Sequence, residues 1–302
     1  MYGTSGLGVN YLEPNTPSFG TIQAYSSVNF MQIAPAIAWK ANSRISIGAT
    51  LNIAVEQVAV QQTFGGSGLN LVSPSSAYGV GATLGVMYKP DDVVTIGAVY
   101  KSAIQLSPLT WQETTEFVPT GVGPNGPTGV SGGPGQYSSH LNYPQQFSIG
   151  VAIRPVPRWL ISVEGQWINW RATLNNFTIS GPWNGVSSVS LPTHWQNEWV
   201  ANIGVQHDVN KWLQVRAGYA YGSNPIRASD TAANLLFPAV VENALTFGAT
   251  QRLGMGWKLT ETYMHSFGNT ITGGTILPGL PLQNTSSTLS ENSYGLQIGY
   301  IF

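Results

Sequence analysis

The chain contains no cysteine. That excludes a disulfide framework and thiolate metal sites, and it fits a chain exported unfolded through an oxidising compartment. Charge is also scarce: only 8% of the 302 residues are Asp, Glu, Lys or Arg, against about 25% in typical soluble domains. A formal net charge of −1 leaves nothing to favour nucleic acid. No apolar run approaches the roughly 18 residues of a spanning helix, and mean hydropathy is +0.01. These two absences exclude a helical membrane protein. What the chain has is Gly (35), Pro (19), Trp (10) and Tyr (13). Such a chain is poor in soluble-surface material, and it suits a wall that alternates between lipid and a polar interior.

The alternation is visible in the residues. Arg44 to Glu56 sets Ile45, Ile47, Ala49, Leu51, Ile53 and Val55 against Ser46, Gly48, Thr50, Asn52, Ala54 and Glu56. "WLQVRAGYAYGSN" from Trp212 and "SYGLQIGYIF" from Ser293 to Phe302 repeat the pattern. A period of two is that of a strand. Eleven strands are expected, near 27–40, 44–61, 76–90, 93–107, 144–154, 158–174, 192–208, 212–224, 240–253, 256–268 and 290–302. Short turns are expected at Ala41–Ser43, Pro90–Asp92, Pro155–Pro157, Val209–Lys211 and Gly254–Met255. Long Gly/Pro/Ser/Asn-rich loops are expected at about 62–75, 108–143, 175–191, 225–239 and 269–289. Pro35 calls for a bulge or kink, since it cannot donate to a ladder.

Tight turns at one end and long loops at the other are the pattern of an outer-membrane barrel. Eight of the twelve basic residues lie within a few residues of the short turns, where their side chains reach water. Outward aromatics sit at two heights. Trp39, Tyr88, Trp159, Trp257, Tyr300 and Phe302 lie near the short turns; Tyr100, Trp167, Tyr221, Phe267 and Tyr294 lie some eight to eleven residues away. A strand needs about 9–11 residues to cross the hydrocarbon, so these are two girdles. Glu261 breaks the rule by sharing the outward face of Trp257, Leu259 and Tyr263. Either a bulge shifts the register there, or the carboxyl is neutral or paired. The chain is thus read as one transmembrane domain, 1–302, an all-β antiparallel barrel. Bacterial barrels have even strand numbers with both ends in the periplasm. Eleven is odd, and "MYGTSGLGVNY" has neither the basic start nor the apolar core of a signal peptide. The expectation is that an odd number of strands and the leader precede Met1.

Several segments together resemble the outer-membrane long-chain fatty-acid transporter family (FadL-like, OmpP-type), which includes transporters of toluene and related aromatics. They are "GLGVNY" (6–11), "APAIAWKANSRISIGATLNI" (34–53), "YGVGATLGVMYKPDDVVTIGAVYKS" (78–102), "LNYPQQFSIGVAIRPVPRWLISVEGQWINW" (141–170), "NEWVANIGVQHDVNKWLQVRAGYAYGSNPI" (197–226) and the final strand. The resemblance implies a 14-stranded monomeric barrel, plugged by an amino-terminal hatch, of which about 11 strands are present. It implies passive movement of hydrophobic compounds, fatty acids or aromatic hydrocarbons, without a cofactor. It also implies a setting of outer-membrane lipid and lipopolysaccharide, and a final strand that doubles as an assembly signal.

The inward positions are mostly small and neutral, such as Gly48, Thr50, Thr83, Gly97, Gly204 and Gly248. A general pore is expected to carry opposed rings of charge; here only Glu56, Lys101, Glu164 and Arg216 are inward charges in strand cores. Lys101 and Arg216 suit a fatty-acid carboxylate. Alternatively they pair with Glu164, Glu56 or the hatch and hold the wall together. Trp170 is expected to face inward and Trp167 to face lipid. In the 108–143 loop, Trp111, Phe117 and Val118 offer a landing surface, unless that loop is disordered. Two rival functions remain, a general porin or structural barrel and an outer-membrane lipid hydrolase. Catalysis has little support: the four His form no metal spacing, and Ser138, Ser139 and His140 sit in loop-like composition.

Overall fold

A computed structural model describes residues 2–16, 20–64, 67–123, 126–274 and 285–301. Its strands are β1 (Tyr2–Thr16), β2 (Gly20–Ile33), β3 (Ala36–Lys40), β4 (Ile45–Phe64), β5 (Ser67–Tyr88), β6 (Val94–Lys101), β7 (Gln105–Leu106), β8 (Leu109–Glu113), β9 (Glu116–Gly123) and β10 (Gly126–Gly132). They continue as β11 (Gly135–Ser139), β12 (Gln146–Ile153), β13 (Trp159–Ile168), β14 (Phe177–Ser180), β15 (Ser188–Leu191), β16 (Glu198–Asp208), β17 (Leu213–Gly222), β18 (Asn243–Gly254), β19 (Trp257–Thr272) and β20 (Ser286–Tyr300). The main sheet runs β1-β2-β4-β5-β6-β12-β13-β16-β17-β18-β19-β20, all antiparallel, with β3 beside β4 and β7 beside β5. Two smaller sheets, β10-β9 and β15-β14-β11-β8, stand at the long-loop end. Among the described residues no helix is long and apolar enough to cross a membrane.

The short turns are held by the residues that punctuate the sequence. Asn42 Oδ1 accepts from the N–H groups of Arg44 (2.8 Å) and Ile45 (2.9 Å). Asp91 Oδ1 accepts from Val93 (2.8 Å) and Val94 (2.7 Å), and Asn210 Oδ1 from Trp212 (2.7 Å) and Leu213 (2.9 Å). A short polar side chain thereby replaces the missing ladder partner at the turn. The β18–β19 turn instead runs through Gly254, Met255 and Gly256, all at positive φ, which glycine adopts without strain. Pro35 falls in the gap between β2 and β3. Its carbonyl accepts from Leu51 N–H at 3.0 Å, so the ladder to β4 resumes immediately beyond the kink.

The structure departs from the sequence reading at the long-loop end. Residues 2–16, left outside the strands, form β1, paired with β2 from Tyr2↔Ile33 to Thr16↔Gly20. Joining β2 with β3 and β6 with β7 makes twelve wall strands where eleven were expected. The expected loop at 62–75 is largely strand, because β4 and β5 continue as one hairpin. The 108–143 loop is β8 to β11 rather than disordered chain. β13 stops at Ile168, and Trp170–Ala172 form a 3-10 turn above it. The extension of β4 has a clear cause. Up to Val55 the apolar face of β4 points outward. Beyond Glu56 the outward Gln57 is polar, while Val58 and Val60 are buried inside. The amphipathic sense of the strand inverts, so a pattern tuned to an apolar outside loses it.

What turns apolar residues inward is a cap. Leu109, Trp111, Tyr137, Phe177, Ile179 and Trp183 from the small sheets join Leu235, Leu236, Phe237 and Val240. Together they pack against Ala24, Val28, Val58, Leu69 and Leu71 of the wall. The β17–β18 connection reaches far across: Ser26 Oγ donates to the Leu236 carbonyl at 2.7 Å. It is tied to the β15–β16 connection by Trp195 Nε1 donating to Asn234 Oδ1 (2.7 Å) and by His194 against Asp230, which Arg227 of the same connection also pairs.

The expected girdles are largely where the pattern placed them. Trp39, Tyr88, Trp159, Trp257 and Tyr300 are exposed near the short turns, and Tyr100, Tyr221, Phe267 and Tyr294 above. Trp167 is half-buried beside its exposed cross-strand partner Trp199. Phe302 lies outside the described residues.

Glu261 pairs with Ala249 and Leu296 in unbroken register. The nearest shifts fall at Arg252/Gly254 and Ser266/Asn269, so no bulge turns it inward. It is exposed on the outer face, four residues above Trp257. Glu261→Leu is therefore expected to stabilise the barrel in lipid by about 1–2 kcal/mol, less than removal of a mid-depth Lys or Arg. Denaturant unfolding of the lipid-reconstituted chain measures this. In the cap, Glu116 is buried, with Oε2 accepting from Asn70 N–H at 2.7 Å. Burial, with a lesser push from Glu113, raises its pKa to about 7 against the opposing Asn70 bond. A raised carboxyl favours folding while protonated, and that contribution is lost as pH rises through about 7. The protection factor of amide exchange across Leu109–Val118, with the intrinsic base catalysis divided out, is expected to be higher at pH 5 than at pH 8, and Glu116→Gln to flatten that difference.

Candidate functional site

Below the cap the wall lines an open cavity of ≈ 1250 Å³. Much of its lining follows from the inward half of each strand's alternation: Ala36 and Ala38, Ser46, Gly48 and Thr50, Gly85, Thr95 and Gly97, Ser148, Gly150 and Ala152, Gly204, Gly218, Thr246 and Gly248. Some glycines are required by the wall itself. A Cβ at Gly150 would sit 2.9 Å from the Val163 carbonyl, and one at Gly218 would meet Thr246 Oγ1 at 2.8 Å. At Gly97 the nearest atom to a Cβ would be 3.9 Å away, so there the missing side chain simply widens the lumen. None of the residues of the apolar cap core lines this cavity. The conduit therefore has two layers, an apolar filling above and a wide, nearly uncharged space below.

The inward charges are dispersed. Arg216 lines the cavity three residues above the β17 turn, and neutral groups take up its guanidinium. Nε donates to Gln206 Oε1 (2.9 Å), Nη1 to Thr250 Oγ1 (2.8 Å) and Nη2 to Gln214 Oε1. Thr250 in turn bonds Thr260 at 2.8 Å. Glu164 also lines the cavity and accepts from Asn202 Nδ2 at 3.3 Å. Lys101 closes β6 at the far end of the lumen. Its Nζ reaches Gln32 Oε1 at 3.5 Å, and Gln32 continues through Asn52 (3.0 Å) to Thr83 (2.8 Å). Register separates the two cations. Lys101 is level with Ile168 through Gln146, and Arg216 with Leu160 through Gln206. Eight residues lie between those levels, about 26 Å along a strand. Neither cation has a carboxylate partner among the described residues.

The remaining candidates belong to the cap. Trp170 sits in the 3-10 turn above β13; its Nε1 donates to Glu198 Oε2 at 2.9 Å and its ring packs on Trp195. Trp111 and Val118 are 2% and 3% exposed, so they are cap core and not a landing surface, because the sheet to which Trp111 belongs folds over them. Phe117 is half-buried. Glu56 is fully buried at the junction of cap and lumen. The Tyr143 hydroxyl lies beside it but outside hydrogen-bonding geometry, and the Tyr143 ring rests on Phe30 at 4.0 Å.

Sequence reasoning missed the amide and hydroxyl ladders around both cations and the inward turn of the β17–β18 connection. For the ladders no signal existed, since Gln and Thr are ordinary lumen residues. For the connection the signal was present: "NLLFPAVV" (234–241) is an apolar run inside a loop, where solvent would penalise it.

No curated protein sequence matches the chain. Solved structures do. The toluene transporter TodX of P. putida superposes with a TM-score of 0.71 at 15% identity, covering 99% of this chain and 78% of its own. The toluene transporter TbuX of Ralstonia pickettii gives 0.68 at 14%, covering 100% and 77%. A FadL homologue of Pseudomonas aeruginosa gives 0.63 at 16%, covering 99% and 74%. At such identities the likeness is one of fold. The family model for outer membrane protein transport protein (OMPP1/FadL/TodX) matches residues 4–265, and with the barrel, cap and sparsely charged lumen in place, this chain belongs to that family.

Proposed function

We propose that the protein is a multi-pass barrel of the bacterial outer membrane that passes hydrophobic compounds, long-chain fatty acids or monoaromatic hydrocarbons, passively through its lumen. The observation that carries this is the stacking of an apolar cap on a cavity of ≈ 1250 Å³ whose only charged lining residues among those described are Glu164 and Arg216. An apolar solute partitions from water into the cap, gaining about 25 cal/mol per Å² of surface removed from water. Below, the small neutral lining gives it room without a strong site, so it leaves by diffusion past the hatch or sideways through the wall. No cofactor or catalytic group takes part. In this reading Phe117 and Trp170 contact the solute on entry, Trp111 maintains the cap, and Lys101, Arg216 and Glu164 are met in the lumen.

The two substrate classes make different demands. A carboxylate needs Lys101 or Arg216; a hydrocarbon needs neither. Uptake by cells carrying the chain measures both. If fatty acids are the substrate, Lys101→Ala or Arg216→Ala is expected to lower their uptake about five- to tenfold, the loss of one charge-assisted bond, with toluene uptake unchanged. Equal fatty-acid uptake by parent and variants, with the barrel intact, removes the carboxylate role. Gly97→Phe, at a position where a Cβ meets nothing nearer than the Val86 carbonyl at 3.9 Å, narrows the lumen and is expected to slow both substrates severalfold. Liposome swelling in sugars is expected to be absent, and its presence would establish a general porin. Release of acid from an ester would establish the hydrolase.

A further inference from the structure

The inward face of β4 passes through every environment between lumen and cap. Ser46, Gly48 and Thr50 line the cavity, Asn52, Ala54 and Glu56 are buried, and Val58 and Val60 belong to the cap core. Glu56 is therefore the last polar group on this face before the apolar core. Its cross-strand partners are Phe30 of β2 and Ala77 of β5. It is 0% exposed, and neither carboxyl oxygen has a hydrogen-bond partner among the described residues. A buried polar group left in that condition is destabilising, and rare enough to call for a reason. Lys101 stops short of it at Gln32, one inward position below Phe30.

Beside Glu56 lies Tyr143, its ring resting on Phe30 with centroids 4.0 Å apart. Both rings pack against the cap core. Below them the Gln32–Asn52–Thr83 ladder leads to the cavity, which Thr83 lines. The Phe30–Tyr143 pair thus stands between cap and lumen. Tyr143 belongs to no wall strand. It lies in the β11–β12 connection and exchanges two backbone hydrogen bonds with Ile104, at 3.0 and 3.2 Å. Ile104 is seated on β5, for a Cβ at Gly81 would meet its Cγ1 at 2.8 Å. This shelf is fixed to the wall, whereas the Tyr143 side chain can turn about χ1 without breaking a ladder bond. We propose that the Tyr143 ring is a gate between cap and lumen, and that the unpartnered Glu56 sets how often it opens. With the ring on Phe30 the carboxyl is shut away from water. With the ring swung out, lumenal water reaches the carboxyl and supplies the missing hydrogen bonds. The cost of burying Glu56 falls on the closed arrangement alone, and so narrows the gap to the open one. That an apolar solute leaves the cap by this opening rests on the transport proposed above; the gate itself does not.

The chain has no native cysteine, so one introduced thiol reports opening. Ala54→Cys, buried one inward position below Glu56, is made in the full chain, reconstituted in lipid and treated with a water-soluble methanethiosulfonate. Relative to Ala54→Cys alone, labelling is expected to be about tenfold faster with Tyr143→Ala and about tenfold slower with Glu56→Met, which keeps the volume and removes the polar group. Glu56→Gln, still polar and unpartnered, should label within about twofold of the reference, and so should Tyr143→Phe, which keeps the ring. If Ala54→Cys does not fold, Ala77→Cys, buried across from Glu56, serves in its place. Labelling unchanged by Tyr143→Ala overturns the gate. Labelling unchanged by Glu56→Met, or slowed as much by Glu56→Gln, overturns the role of Glu56. Uptake by cells separates the gate from the transport reading. Severalfold lower uptake of apolar solutes with Glu56→Met, at equal abundance, places the gate on the solute's path, and unchanged uptake removes it from that path. Labelling differences as expected, with no uptake by the parent chain, uphold the gate and overturn the transport reading alone.

Discussion

A wall in hydrocarbon must satisfy every backbone N–H and C=O within itself, because lipid offers no partner. The rest of this molecule follows from that constraint. Ladder pairing throughout the wall imposes extended strands, extended strands impose a period of two, and the period divides each segment into a face for lipid and a face for the lumen. Where the ladder must stop, something replaces it: Asn42, Asp91 and Asn210 at three short turns, and the Pro35 carbonyl bonded to Leu51 at the kink.

The two faces carry different burdens, and the change in their roles along β4 locates function. In the bilayer the outward face holds Ile47, Leu51 and Ile53 and the inward face holds little but small neutral groups. Past Glu56 the apolar groups are inside, because the cap provides a second hydrophobic environment there. In the transport proposed above, a solute that prefers grease meets it first in the cap and leaves it in the lumen, an order of environments suited to capture at the outer end and release at the other. The lumenal charges do not contradict it. Arg216 is enclosed by amide and hydroxyl oxygens, and Lys101 reaches only Gln32, so neither creates a field of opposed rings.

The same argument explains how legible each part was. Strands β12 and β17 could be read to within two residues at each end, since lipid on one side and a neutral lumen on the other leave a clean alternation. The upper half of β4 could not, since past Glu56 its inward Val58 and Val60 are buried and its outward Gln57 is polar. The outward carboxyl of Glu261 was legible as an exception but not as a genuine lipid-side residue until the register was seen to be unbroken. Trp111 was read as an outer contact because loops are usually surface. It is core because its loop forms a sheet that packs on the wall.

The sequence by itself determined the class of protein, the rhythm of strands and turns, the girdles and the poverty of charge in the lumen. Each of these depends on local alternation or on composition, and both are written along the chain. Only the tertiary structure decided that the long loops fold inward as an apolar cap and that Lys101 and Arg216 stand at opposite ends of the lumen. Those facts depend on register and on contacts between segments as far apart as Ser26 and Leu236. A period of two says which way a residue points, but not what it will meet there.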